Sequence, residues 1–349
     1  MAASVAEPEP MRGERRGILA VGNLLVDKTH RIPAYPPESL LVVINETSTS
    51  LGGGPVNVLF DLSQVDPALP LSIAGVVGND EDGSFIRAEC RRRGIDTSHI
   101  ATAADRPTSF THVMMSERNA TRTFFHWHGS NSRLDVEHVR TLDGPARIAH
   151  LAYLLLLEGL DLPDAEYGSK GAHALAILKE KGYRTSLDVI SAPDPERYRR
   201  LVVPALPHTD YLIVNEVEAA GMTGTTPAAG EKGVDWEAAL HQCRRILELG
   251  VKELAAIHFT EGAVALTRSG EHGRQQSYHV PKEQVVSTLG AGDAFCAGML
   301  YGIHERYPLD LCLKLGVALA HFNVFAASAT GGAVPLERLR ELIEERERP

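Results

Sequence analysis

From about residue 148 to the C-terminus, short apolar runs alternate with longer stretches whose apolar residues recur every three or four positions. The first pattern is that of strands buried on both faces, the second that of helices packing one side against them. It predicts strands over 148–155, 185–189, 211–214, 254–259 and 263–267, and helices over 165–181, 235–249, 293–306, 311–328 and 335–346. Such alternation implies right-handed βαβ units and a mostly parallel sheet covered by helices on both faces. The N-terminal half repeats the theme less regularly, with a strand over 18–26, a helix over 55–65, a strand over 71–77 and a helix over 82–93. Two features break the rhythm: a Val/Ile-rich second strand over 40–46 leading to Gly52-Gly53-Gly54, and a hairpin over 110–116 and 121–127. Both read as extra antiparallel strands outside the parallel sheet.

Composition narrows the class. The 349 residues are 44% hydrophobic and 23% charged, with 35 Lys and Arg against 45 Asp and Glu, a net charge of −10. This is the balance of a soluble globular α/β protein with a sizeable core. No basic tail or aromatic-basic interleaving is present, which argues against a nucleic-acid partner. No run of about 18 apolar residues suggests a membrane span, and residues 1–16 lack the apolar centre of a secretory signal. Those sixteen residues read as a disordered tail before a domain over 17–349. The cysteines at 90, 243, 296 and 312 have no paired spacing, as expected of a reduced, cytoplasmic protein, and Cys296 reads as packing.

The chemistry concentrates in Ser287-Thr288-Leu289-Gly290-Ala291-Gly292-Asp293. Small residues before a helix leave the N–H groups of Ala291, Gly292 and Asp293 uncovered at its N-terminus, where free donors and the dipole favour an anion. A carboxylate at such a mouth repels phosphate. It makes sense if Asp293 takes the proton of a hydroxyl that attacks a phosphoryl group.

Gly290-Ala291-Gly292-Asp293 followed by Ala294-Phe295 resembles the C-terminal signature of the ribokinase-like (PfkB) carbohydrate kinase family. Gly52-Gly53-Gly54-Pro55-Val56-Asn57 resembles the N-terminal signature, and Asn215-Glu216-Val217-Glu218 matches the Asn-x-x-Glu element between them. The resemblance runs from about Gly17 to near the end of the chain. It implies a ribokinase-like α/β fold with a small β-sheet lid, here assigned to about 28–50 and 108–128, and an ATP-dependent kinase acting on a hydroxymethyl group of a sugar or sugar-like substrate. Asp293 would be the general base, with Gly290, Ala291 and Gly292 forming the anion hole. Asp27, Gly53, Gly54, Asn57 and Glu158 would meet the substrate. Asn215 and Glu218 would position Mg²⁺ through water, while Thr260, Gly262 and the loop at Gly332 would lie along the nucleotide.

Each residue also has a plainer reading. Asp27 follows a strand as turn-forming acids do, Glu158 and Asn215 suit helix caps, and Gly52–Gly54 suits a strand-to-helix turn. Arg122 reaches a substrate hydroxyl or anionic group, or faces solvent. His126 and His128 share a strand face but lack further metal ligands, so an aromatic strand facing substrate is the better account. Two departures from the family matter: Leu25 replaces a polar Asn, which disfavours ribose, and Ser287 replaces an acid, which argues against activation by a monovalent cation. A nucleoside kinase of the same fold and a non-catalytic sugar-binding pseudokinase remain as alternatives, and a homodimer through the exposed lid is expected. A dinucleotide-binding dehydrogenase is disfavoured because no Gly-x-Gly-x-x-Gly follows the first strand.

Overall fold

The computed structural model describes residues 14–119, 121–230 and 233–347. A nine-stranded sheet runs, edge to edge, through His272–Gln276, Gly262–Thr267, Leu254–Phe259, Tyr211–Asn215, Arg184–Val189, Ile148–Leu154, Ile18–Gly22, Leu71–Gly78 and Asp96–Ala103. The seven strands from Leu254–Phe259 to Asp96–Ala103 are parallel, and the two beyond Phe259 fold back antiparallel. The central strand shows why such segments read as continuous apolar runs. Ile18 and Ala20 join one buried cluster while Leu19 and Val21 join the other, so neither face is left for polar residues. Helices Gly54–Val65, Ala291–His304 and Leu309–Asn323 pack on the first face, and Lys170–Glu180 and Trp236–Glu248 on the second.

Four strands form a separate small sheet in the order Glu46–Gly52, Leu25–Ile32, Ser109–Ser116, Arg122–Trp127. Its centre is a parallel pair and its two outer pairings are antiparallel, so it is mixed rather than purely antiparallel. The strand expected over 18–26 is therefore two: the chain leaves the large sheet at Gly22 and enters the small one at Leu25. The strand expected over 40–46 lies elsewhere. Leu25 pairs with Gly52 and Arg31 with Glu46, which places the strand on Glu46–Gly52. Residues 40–45 are irregular and solvent-facing, with Leu41 86% exposed. A run of apolar residues makes a strand only where a partner edge is in register, and here the polar Thr-Ser-Thr-Ser stretch has that edge.

Strands Asp96–Ala103 and His272–Gln276 and the short helix Val136–Thr141 had no forecast. Both strands lie at sheet edges, where one face is wet and the apolar signal is lost. Of the expected tail, residues 1–13 lie outside the described residues. Arg15 is anchored by its guanidinium to the carbonyls of Ala146 and Lys181 and by stacking on Tyr183. All four cysteines are free and buried. Among the described residues no helix is long and apolar enough to cross a membrane.

Candidate active site

The helix Ala291–His304 begins where the parallel strands end, as expected for a ligand site in an open α/β sheet. Gly290 caps it in the left-handed region at φ 79°, and a Cβ there would collide with the Ala329 carbonyl. This turn also folds Thr288 over the helix start, so the Ala291 N–H donates to the Thr288 carbonyl at 3.3 Å. Of the three amides expected to be uncovered, the Ala291 N–H is thus partly spent. Those of Gly292 and Asp293 have no acceptor among the described residues, and the next amide, Ala294, closes the first helical bond to Gly290 at 2.8 Å. Gly290→Ala should cost about 1–3 kcal/mol of stability through the forced backbone alone. A thermal melt checks this, and turnover should fall with it because the turn that exposes the Gly292 and Asp293 amides moves.

Asp293 sits in that first turn, 8% exposed. Tyr153, at the end of strand Ile148–Leu154, donates its hydroxyl to Oδ1, and Asn57 Nδ2 donates to Oδ2 at 3.0 Å. Asn57 is brought there by the helix Gly54–Val65, whose entry needs Gly53 at φ 99° because a side chain would strike the Asn23 carbonyl. Gly54 in turn lies flat against Ala152 and Tyr153, leaving no space for a Cβ. Burial pushes the Asp293 carboxyl up to about 6, with the Tyr153 and Asn57 hydrogen bonds restraining it. Burial and the neighbouring Asp293 hold the Tyr153 phenol well above its usual range, so it stays a donor. Tyr153→Phe removes the stronger of the two restraints. If ionisation of Asp293 sets the acid limb of kcat/KM, that limb should then move above pH 6; an unmoved limb would show that another group sets it.

Asp27 lies on the small sheet, its carboxylate packed against Gly52 and hydrogen-bonded by Thr111. Burial raises it to about 6. Gly53, Gly54, Asn57, Tyr153 and Asp293 therefore make one contiguous surface, which Asp27 extends through Gly52. Arg122 and Phe124 occupy the same sheet face as Asp27, whereas Phe125 and Trp127 face away. Arg122 Nη1 donates to Ser287 Oγ at 2.8 Å, tying the small sheet to the loop before helix Ala291–His304. His126 bonds Thr111 through Nδ1 at 3.1 Å and meets His128 edge-on. Glu158, by contrast, is exposed in the turn after Leu154 and does not join this group.

Asn215 and Glu218 form a full capping box on helix Glu216–Thr223. Glu218 accepts from the Asn215 N–H at 2.9 Å, from Asn215 Nδ2 at 2.8 Å and from Ser191 Oγ at 3.0 Å. It is buried, which lifts it to about 7. Asp188, ending strand Arg184–Val189, is held well above the carboxylate range by burial and by the charges of Glu218 and Asp293. No Lys or Arg neutralises these three acids among the described residues. A set of buried carboxylates without a cation fits Mg²⁺, which takes oxygen ligands and keeps much of its water. Asp188 and Glu218 would hold it, the latter through water.

A cavity of about 780 Å³ opens beside the start of helix Ala291–His304. Ala291, Gly292 and His258 line its inner end, and Tyr278, Val317 and His321 its apolar outer end. Thr260 and Gly262 border it as expected, but Asn215 and Glu218 do not, Glu216 taking that position. Gly332 is also absent from the wall. It packs on the Phe322 carbonyl at the end of helix Leu309–Asn323, and that helix's own Ala320 and His321, with Val324 just after it, face the cavity. Tyr153 and Asp188 escaped the sequence reading as site residues. A polar side chain ending an apolar strand was the available signal for each.

Known proteins share this fold. The family model described as pfkB family carbohydrate kinase matches residues 17–335. The chain is 22% identical over 344 residues to a 5-dehydro-2-deoxygluconokinase of Shouchella clausii, covering 95% of this chain and 97% of that one. It is 22% identical over 332 residues to a ribokinase of Haemophilus influenzae, covering 95% and 99%. Among solved structures, Arabidopsis thaliana ribokinase complexed with ribose and ATP superposes with a TM-score of 0.76 at 21% identity, covering 95% and 99%. A Methanocaldococcus jannaschii nucleoside kinase gives 0.72 at 17% identity, covering 95% and 100%. The chain belongs to the PfkB family of carbohydrate kinases.

Proposed function

We propose that this kinase transfers the γ-phosphoryl group of ATP to a hydroxymethyl group of a sugar or sugar-like acceptor, with Asp293 as general base. The observation that carries the reading is the Asp293 carboxylate, held by Tyr153 and Asn57 directly beside the free N–H groups of Gly292 and itself. A hydroxyl lying between Asp293 and the anion hole would lose its proton to the carboxylate as the phosphoryl group arrives. The amides then meet charge developing on the phosphoryl oxygens, where each such donor is typically worth about 3–4 kcal/mol. Mg²⁺ bound near Asp188 and Glu218 would neutralise charge on the phosphates. The triphosphate would lie along the cavity from Gly292, with the base at its apolar end. The small sheet acts as a lid that excludes water, which would otherwise accept the phosphoryl group.

The likeness to 5-dehydro-2-deoxygluconokinases directs the choice of acceptor towards a sugar acid. Arg122, on the lid face shared with Asp27, supplies a guanidinium suited to a carboxylate. A cytoplasmic enzyme is the corresponding cellular reading. The outward Phe125 and Trp127, 56% and 38% exposed, suit a homodimer through the lid. The test is ADP release with Mg²⁺ and ATP across sugar acids, neutral sugars, sugar phosphates and nucleosides. A sugar or sugar acid should give the highest kcat/KM. A nucleoside as the best acceptor would overturn the assignment, and ATP binding without turnover on any acceptor would indicate a pseudokinase.

A further inference from the structure

Beneath Asp293 lies a second group of ligating atoms, two of which, on His150 and Cys296, have no part in phosphoryl transfer. His150 on strand Ile148–Leu154, Asp188 on strand Arg184–Val189 and Cys296 on helix Ala291–His304 each offer one ligand atom, and the three atoms lie within 4.8 Å of one another. All three residues are buried. The arrangement follows from the fold. His150 pairs with Ser186 across the parallel strands, and Asp188 comes two residues later on that strand. Cys296 is three residues beyond Asp293, so it shares the helix face turned towards the sheet.

The imidazole is already oriented. Its Nδ1 lies 3.0 Å from Ser186 Oγ, which leaves Nε2 facing Cys296 Sγ at 3.9 Å. In a tetrahedral zinc site, Zn–S near 2.3 Å and Zn–N near 2.0–2.1 Å put sulfur and nitrogen about 3.6 Å apart. The His150–Cys296 separation lies within a few tenths of an ångström of that edge, and Asp188 would close in to complete the set. A hydroxyl bonded to the non-ligating nitrogen is also the outer contact that fixes a metal-binding histidine. Thiolate, imidazole and carboxylate together select zinc-like ions, because Mg²⁺ requires a shell of oxygen ligands. Three protein ligands leave a fourth position for water. Asp188 retains 8% exposure and so marks the way in from the cleft.

We propose that His150, Asp188 and Cys296 form a binding site for a thiophilic divalent cation of the Zn²⁺ class, and that its occupancy inhibits the enzyme. Binding breaks the Cys296 S–H bond and the O–H bond of Asp188 when that acid is protonated. The protons pass to solvent as metal–sulfur, metal–oxygen and metal–nitrogen bonds form. Inhibition follows because Asp188 is withdrawn from the phosphate-side cation and a dipositive charge is placed under Asp293. This second half rests on the kinase reading above; the binding half does not.

Co²⁺ titrated into the full-length protein in Mg²⁺ buffer tests the binding half without turnover. Intense tetrahedral ligand-field bands and a thiolate-to-cobalt charge-transfer band should appear, and Zn²⁺ should abolish both. Cys296→Ser should remove the charge-transfer band. Ser186→Ala should keep it but weaken Co²⁺ affinity about 10- to 100-fold. Circular dichroism verifies folding, and if Cys296→Ser fails to fold, the Ser186→Ala titration decides. A weak six-coordinate spectrum, or an unchanged band in folded Cys296→Ser, would overturn the site. Zn²⁺ inhibition at saturating Mg·ATP should be lost in Cys296→Ser; equal inhibition of both proteins would overturn the regulatory half.

Discussion

Asp293→Asn should lower kcat by about 10²–10⁴-fold while leaving ATP binding intact. The asparagine keeps the shape of the side chain and can still accept from the Tyr153 hydroxyl, so the helix start and its free amides should persist. What disappears is the ability to take a proton. In activation terms the loss corresponds to about 3–5 kcal/mol. ATP binding is spared because the cavity wall uses Ala291, Gly292 and His258 rather than Asp293, and removing a negative charge beside the phosphates favours the nucleotide. Calorimetric titration of ATP beside steady-state turnover separates the two effects. Loss of both together would mean that Asp293 supports the loop rather than the reaction.

A second large effect is expected on stability, from a residue close to Asp293 that takes no part in the chemistry. Asp61, on helix Gly54–Val65 one turn beyond Asn57, is fully buried, and neither carboxyl oxygen has a hydrogen-bond partner among the described residues. Burial and the charge of Asp293 hold its pKa well above the usual carboxylate range. The sign follows directly. The folded state keeps a proton that the unfolded chain releases above about pH 4, so this residue's contribution to stability declines as pH rises. One proton corresponds to at most about 1.4 kcal/mol per pH unit. Asp61→Asn cannot ionise and lacks this slope. Its stability relative to the parent should therefore increase from pH 5 to pH 8, whatever constant cost the unpaired amide adds. Urea midpoints across that range measure the difference, and parallel curves would show that Asp61 is ionised or partnered in the folded state.

What could be read from the sequence depended on how local each feature is. The Gly290–Asp293 turn and the Gly52–Gly54 turn each occupy a few consecutive residues, so their resemblance to the family signatures, taken as a pair, exposed them. The partners of Asp293 are another matter. Asn57 belonged to a recognisable motif, but Tyr153 comes from a strand 140 residues away and only the sheet topology delivers it. Asp61 and Asp188 looked like ordinary acids in a helix and at a strand end until packing showed how little neutralises them. Glu158 illustrates the converse, a plausible position whose side chain the following turn directs to solvent. Buried parallel strands announced themselves by composition. The edge strands did not, and strand Glu46–Gly52 is so polar that the apolar residues before it drew the expectation away.

The central claim concerns which bond is made. The decisive measurement is the proton-coupled ³¹P NMR spectrum of the product formed from ATP and the best acceptor of the panel, recorded beside the Asp293→Asn reaction. Transfer to a hydroxymethyl group predicts a phosphomonoester resonance split by two methylene protons, growing with the wild-type enzyme and absent with the variant over the same time. Inorganic phosphate as the main product, a resonance split by one methine proton, or an ester formed equally fast by Asp293→Asn would contradict it.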